Sequence, residues 1–526
     1  MTRASPRRVP AWLAPLLLAP FLLAPGAPAQ DAGPREGSVR LSAGGGGFAV
    51  EGTILGFDGA FYRIETEGGP VTVDAARVEC AGDCPDPDLA QVAISGEAEA
   101  VEDLMPALMR AYAAEKGMEV EAGEGRLTLL EAGREALAVF LRGTGTEEGF
   151  ADLLAGEADM VLAGRPVRPL EAALAGDAGL GDLTDPMRAL VLAPGALAVV
   201  VAPDSPVRAL TLPQLAAVFS GALGSWAELG LGGDDPVRLH LPGEGTAAAQ
   251  GFADAVMDPA GLPIAEEGIV RHASSEALAT AIAADADAIG VVPAEAIGGA
   301  RALDLGGVCA PPGGPSAFAV ASGDYPLAQP VLLYLPARRL PNAARDFAAW
   351  LATPEAEAAA LSAGFGAAAG PVPFDAQARR LAAGVAAADE ATLPALRDAV
   401  AALEGHARRP ETFRFEDGTA RLDAAGESAA RRLAARLRTG GFEGRRLLFA
   451  GFSDARGEAE LRLSRLRAGV VRDHVADLAG GSAGAALRAA GFGAALPVAC
   501  SDTVWGRKAN RRVELWIEED ASGRGG

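Results

Sequence analysis

From residue 90 to about residue 370, short apolar runs alternate with amphipathic stretches of helical period, a pattern that builds layered α/β structure. Val92-Ala-Ile94, Leu137–Leu141, Met160–Ala163, Ala196–Val201, Ile289–Val292 and Val331–Leu335 read as strands. After the first of them, Val101, Leu104, Met105, Leu108 and Tyr112 recur at helical spacing, which predicts one apolar helix face. Ala196–Val201 is long enough to cross between two lobes of such a domain. The chain has 526 residues, more than one ordinary domain, so further units are expected around this one.

Charge locates one boundary. Residues 30–404 carry 22 basic and 53 acidic side chains, a net of −31, whereas residues 405–520 carry 20 and 16, a net of +4. The shift falls near His406–Pro410 and marks a domain junction. Residues 375–404 read as one or two Ala-rich helices, so 375–410 is expected to be a helical linker. Ahead of the α/β region, residues 30–89 read as a small β-rich unit. Phe48–Phe57, the turn Asp58-Gly59, Phe61–Thr66, the turn Gly68-Gly69 and Val71–Val73 predict a three-stranded meander.

Arg3, Arg7 and Arg8, the apolar run Ala11–Ala24 and the small-residue site Ala27-Pro28-Ala29 make residues 1–29 an export signal. Export makes the four cysteines candidates for disulfides. Cys80 and Cys84 flank a short turn and are expected to pair, while the sequence leaves Cys309 and Cys500 paired or free. A net charge of −23 opposes nucleic-acid binding. The absence of HExxH, CxxC and Walker motifs gives no sign of a metal or nucleotide enzyme, so no cofactor and no catalytic residue are expected.

Three strand ends run into small polar residues that open helices: Ser95-Gly96, Gly143–Thr146 and Gly243–Thr246. Free N–H groups at helix starts favour anions, though any one such place is more simply a cap. The order of segments over about 90–370 resembles the PstS-like family, the phosphate-binding component of ABC importers. Ala196–Phe252 matches best: "ALAVVVAPDSPVRALTLPQLAAVFSGALGSWAELG", in which Gln214, Phe219, Ser220, Gly221 and Trp226 fit the family's order, then a strand and "GEGTAAAQGF". "GTGTEEGFADLLAGEADMVLAGRPVR" is similar to the family's oxyanion loop, helix and strand, and "ADAIGVV" to its strand returning through the hinge. The resemblance implies a two-lobed domain over 90–374 of the periplasmic-binding-protein type (type II-like). It also implies Ser95, Thr144, Thr146, Arg165 and Thr246 as contacts to phosphate or a related oxyanion, and an ABC permease as partner. Glu97, Glu147, Glu148 and Glu244 stand in the same loops, where carboxylates would repel a fully ionised anion or accept the proton of hydrogen phosphate.

From Glu411 the pattern is strand, helix, strand, helix, strand, ending at Val513–Ile517, with residues 518–526 as a tail expected to be disordered. "GFSDARG", "LSRLRAGVV" and "GRKANRRVELWI" resemble the OmpA-like family over 411–517, an α+β domain. That resemblance implies binding to the diaminopimelate peptide of peptidoglycan, with Asp454 on the ligand's ammonium and Arg467 on its carboxylate. The expected protein is a periplasmic, non-enzymatic receptor of a Gram-negative envelope, held on the cell wall. The alternative is a cell-wall scaffold whose lobes have lost phosphate.

Overall fold

Alternating burial organises the N-terminal unit, where Val39, Leu41, Ile64 and Val73 turn inward. The computed structural model describes residues 38–43, 48–57, 61–84, 90–307, 309–416, 419–481 and 484–519. The export signal, the Asp58-Gly59 turn and the tail beyond residue 519 lie outside the described residues. The unit has five strands rather than three. Val39–Ser42 pairs antiparallel with both Ala49–Phe57 and Glu79–Gly82, and Phe61–Thr66 and Gly69–Asp74 complete the sheet. The two additional strands are four residues long, too short for alternation to show in the sequence. Cys80 and Cys84 are bonded, with Cα atoms 6.0 Å apart.

In the larger unit, the first lobe is a seven-stranded sheet. Its order is Ala189–Ala193, Val331–Tyr334, Met160–Ala163, Ala90–Gly96, Arg134–Gly143, Arg126–Glu131 and Glu119–Gly123. Ala90–Gly96 runs parallel to both Met160–Ala163 and Arg134–Gly143. The predicted helix face is buried on this sheet: Val101 and Leu104 sit in a π turn, and Met105, Leu108 and Tyr112 in the helix Met105–Lys116. Tyr112 meets Phe347 edge-on at 5.2 Å, a geometry that adds about 1 kcal/mol to the area buried.

The second lobe is a five-stranded sheet ordered Ile269–His272, Arg238–Pro242, Ala288–Pro293, Leu197–Val201 and Arg301–Ala302. Its core holds Phe219 and Trp226 from the matching motif, with Phe252 edge-on to Phe219 at 4.8 Å. Two expectations about the hinge need correction. Leu197–Val201 lies wholly in this sheet, so the chain crosses at Pro194–Ala196. Ile289–Val292 does not return through the hinge either; its strand pairs antiparallel with Leu197–Val201. The return is Leu327–Pro330, held beside the first crossing by Gln329 N–H donating to Gly195 C=O at 2.7 Å and Leu197 N–H to Leu327 C=O at 2.9 Å. Both strands are apolar and buried, and sequence alone does not separate a crossing strand from its neighbour.

The C-terminal sheet is ordered Val372–Pro373, His406–Arg414, Arg512–Glu518, Arg446–Gly451 and Ala486–Gly491. The strand Ala486–Gly491 and the short helix Val504–Asn510 are further elements, beyond the strand–helix–strand–helix–strand pattern of the sequence. Helices Ala424–Arg438 and Glu458–Leu478 cover one face through Leu433, Leu437, Val471 and Val475. Residues 375–410 are not a linker. The helix Leu393–Leu403 buries Leu396, Ala399 and Leu403 against Leu448, Phe452 and Trp516, and His406 already opens a strand. Ala-rich composition hid this apolar face, because alanine contributes little area to a periodic signal. Among the described residues no helix is long and apolar enough to cross a membrane.

Candidate functional site

Parallel strands place their C-terminal ends on one edge, where ligands of open α/β sheets bind. In the first lobe, Gly96 is in register with both Gly143 and Leu162, so three loops leave together at Glu97, Thr144 and Gly164. Gly96 has φ +145°, and a Cβ there would fall 1.9 Å from Leu162 O, so only glycine fits. In the second lobe Pro242 and His272 are in register and release the loops before Thr246 and Ser274. Thr246 and Ser274 cap the helices Ala247–Phe252 and Ser275–Ala283, each hydroxyl accepting a backbone N–H at 3.2 Å.

These loops and the crossings enclose a cavity of about 260 Å³ lined by Glu97, Glu99, Thr246, His272, Ser274, Glu295 and Gln329, among others. No Arg or Lys is among its lining residues. Burial pushes the Glu97 carboxyl above the usual range; the Thr146 hydroxyl opposes the shift, and Glu99 and Glu148 add to it. Burial, with Glu99, does the same to Glu295. His272 Nε2 lies 2.9 Å from His240 Nδ1, and burial followed by the His272 ring pulls His240 below the ordinary histidine value. The cavity therefore offers hydroxyls, helix starts and proton-accepting carboxylates.

Of the five residues carried over for an oxyanion, Thr246 lines this cavity, with its hydroxyl donating to Gly243 C=O at 2.8 Å. Thr146 is fully buried one bond behind it: its Oγ1 accepts Gly164 N–H at 3.0 Å and lies 3.3 Å from Glu97 Oε2. Thr144 is exposed and does not line the cavity; its N–H donates to Gly96 C=O. Ser95 and Arg165 need correction as ligand contacts. The Ser95 hydroxyl donates to Asp152 at 2.5 Å, away from the cavity. Arg165, 0% exposed, grips Glu171 with two nitrogens at 2.6 and 2.9 Å, and its Nε–H donates to Gln250 Oε1 at 2.8 Å. A buried guanidinium is stabilised by a neighbouring carboxylate, and Glu171, six residues on, is the one the sequence places within reach.

Gln250 belongs to the second lobe, so Arg165 ties the lobes together. Gln250 Nε2–H donates onward to Glu147 at 3.0 Å, and Arg168 pairs with Asp254 at 2.9 Å. Glu99, Ser274, Glu295 and Gln329 were not singled out from sequence. Ser274 was legible as a hydroxyl following a strand and opening a helix; the other three had no local signature.

The C-terminal domain holds a second polar centre. Asp454 follows the strand Arg446–Gly451 and accepts Arg511 Nη1–H at 3.0 Å. Arg467 projects from the helix Glu458–Leu478 over the Phe415 ring, 5.2 Å from its centroid, and is 6% exposed. Its Nε and Nη1 are buried without a hydrogen-bond partner. Burial, then the neighbouring Arg511, lowers its pKa. Asp454 and Arg467 thus share one region of charge, with Asp454 bonded to Arg511.

No curated protein matches the chain in sequence. Among solved structures, an ABC-type phosphate transport receptor from Vibrio cholerae is 19% identical over 53% of this chain and 100% of its own, with TM-score 0.41. PstS from Borrelia burgdorferi is 14% identical over 53% and 100%, with TM-score 0.39. Residues 85–355, just over half of the chain, match the family model described as the PBP superfamily domain. The chain therefore belongs to the PBP superfamily.

Proposed function

We propose that this protein is a periplasmic solute receptor whose cleft takes phosphate or a related oxyanion and whose C-terminal domain, OmpA-like in its motifs, holds it on peptidoglycan. The single observation that carries the reading beyond the fold is Arg467. A buried guanidinium with two unpartnered nitrogens costs free energy, commonly about 1–3 kcal/mol for each unsatisfied group, and a ligand carboxylate would recover it. Asp454, whose charge acts on Arg467 and whose Oδ2 accepts Arg511 Nη1–H, is the carboxylate that would take an ammonium, so the group suits the zwitterionic end of a diaminopimelate peptide. Co-sedimentation of the full chain with purified sacculi tests this half.

The solute class comes from the similar structures, which are described as phosphate receptors. The cleft narrows it. With Arg165 neutralised and Glu97 and Glu295 inside, a fully ionised anion has no cation to meet, whereas hydrogen phosphate has a proton to donate to Glu97. Passage of the solute to an ABC permease follows from the same reading. Titration calorimetry should show saturable phosphate binding, no sulfate binding, and about 10-fold weaker phosphate in Thr246→Ala, the size of one hydrogen bond to a charged group, made when the hydroxyl turns from Gly243 C=O to the anion. Binding of neither anion favours the second reading, a wall-bound scaffold whose lobes no longer take phosphate. Pairing of Arg165 with Glu171 is the observation on its side.

A further inference from the structure

Ligand closure in a two-lobed domain needs one lobe to rotate about the crossing segments. Here a third body is attached to both lobes. On the first lobe, the helix Ala424–Arg438 of the C-terminal domain lies against the edge strand Ala189–Ala193. Val191 N–H donates to Ser428 Oγ at 3.1 Å, Arg432 Nη1–H donates to Val191 C=O at 3.2 Å, and Arg436 pairs with Glu357 at 2.6 Å. On the second lobe, Asp324 receives Arg408 at 2.6 Å and Arg414 at 3.0 Å, and Arg414 also donates to Ser322 C=O. Cys309 of the same lobe is covalently bonded to Cys500. Asp324 stands five residues before Gln329, which sits in the second crossing. Gly323 leaves room for this clamp, since a Cβ there would fall 2.6 Å from Arg414 Nη1.

We propose that the C-terminal domain is a brace spanning the hinge, which holds the two lobes at one angle through a covalent and ionic joint on the second lobe and a hydrogen-bonded joint on the first. Rotation of one lobe against the other must break one joint. The second-lobe joint contains a disulfide and an ion pair between side chains 2% and 15% exposed. The first-lobe joint has no covalent link, and its ion pairs, with side chains 18–30% exposed, are more open to water than Arg408 with Asp324, so it is the weaker. The inference needs only the lobes and the joints and stands whether or not the cleft takes phosphate.

Single-molecule energy transfer on the full chain tests it. Dyes are placed through azide-bearing residues substituted for Glu157 on the first lobe and Glu266 on the second. The unaltered chain should give one narrow transfer distribution. Breaking the covalent strut (Cys309→Ser with Cys500→Ser) or the first-lobe joint (Arg432→Ala with Arg436→Ala) should broaden it or add a second population. The two variants attack opposite ends, so if one fails to fold, as judged by its thermal transition, the other decides. Two populations in the unaltered chain, or distributions equally narrow in every folded variant, would overturn the proposal.

Discussion

Replacing Glu514 with Gln should cost about 3–5 kcal/mol of the C-terminal domain's unfolding free energy, the usual result of removing one partner from a buried ionic cluster. Glu514 is 0% exposed. It receives Arg380 at 2.6 Å and Arg512 at 2.7 Å, lies 3.4 Å from Arg408, and accepts the Trp516 indole N–H at 3.0 Å. Gln keeps the volume and removes the charge, leaving three guanidiniums in a dry place with Asp324 as the remaining carboxylate among the described residues near them. Burial alone would raise the Glu514 carboxyl, yet Arg380, Arg408 and Arg512 hold it down at about 2. Burial pulls Arg512 down to about 9.

The sign for pH follows from the depressed carboxyl. Its stabilisation is fully present above the ordinary glutamate value and is lost as pH falls through about 2. Asp324, also held below its ordinary value by Arg408 and Arg414 against the effect of burial, acts in the same direction. Urea melts followed by tryptophan fluorescence should show the loss in Glu514→Gln at pH 7. Little difference from the unaltered chain would mean the cluster is not what orders this face.

The second large effect is on wall binding. Arg467→Ala should weaken association of the full chain with sacculi by roughly 10- to 100-fold, the worth of a charge-assisted pair of about 1.5–3 kcal/mol. Stability separates this role from a structural one. A guanidinium that held the fold would, on removal, lower the melting temperature by several degrees. Arg467 has two unpartnered buried nitrogens, so its removal also relieves a desolvation cost, and the melting temperature should stay within a few degrees or rise. Sedimentation equal to the unaltered chain would remove Arg467 from the ligand site.

Period and motif carried different parts of the structure into the sequence. The helix face Val101 to Tyr112 and the strands around Ile94, Val139 and Val161 were legible because large apolar side chains repeat with the period of the element that buries them. The mixed-polarity strands Val39–Ser42 and Glu79–Gly82 were not, for lack of an apolar run, and the Ala-rich helices of 375–404 were legible as helices but not in the face they bury, for lack of side-chain area. Loop positions were legible from glycine and hydroxyl residues, yet the partners of those residues were not. Arg165 looked available until Glu171 and Gln250 were placed around it, and Ser95 until Asp152 was. Glu295 enters the cleft from the 3-10 turn after the strand Ala288–Pro293 and Gln329 from the second crossing, both far along the chain, a juxtaposition only the fold creates. The same holds for Cys309 and Cys500, 191 residues apart.

A wall-held solute receptor should carry its solute onto the wall. Sacculi loaded with the full chain and equilibrated with radiolabelled phosphate should retain it saturably, in proportion to the protein bound, and should release protein and label together when free diaminopimelate peptide is added. Protein on the sacculi without phosphate, or phosphate held by protein that stays in the supernatant, would contradict the account.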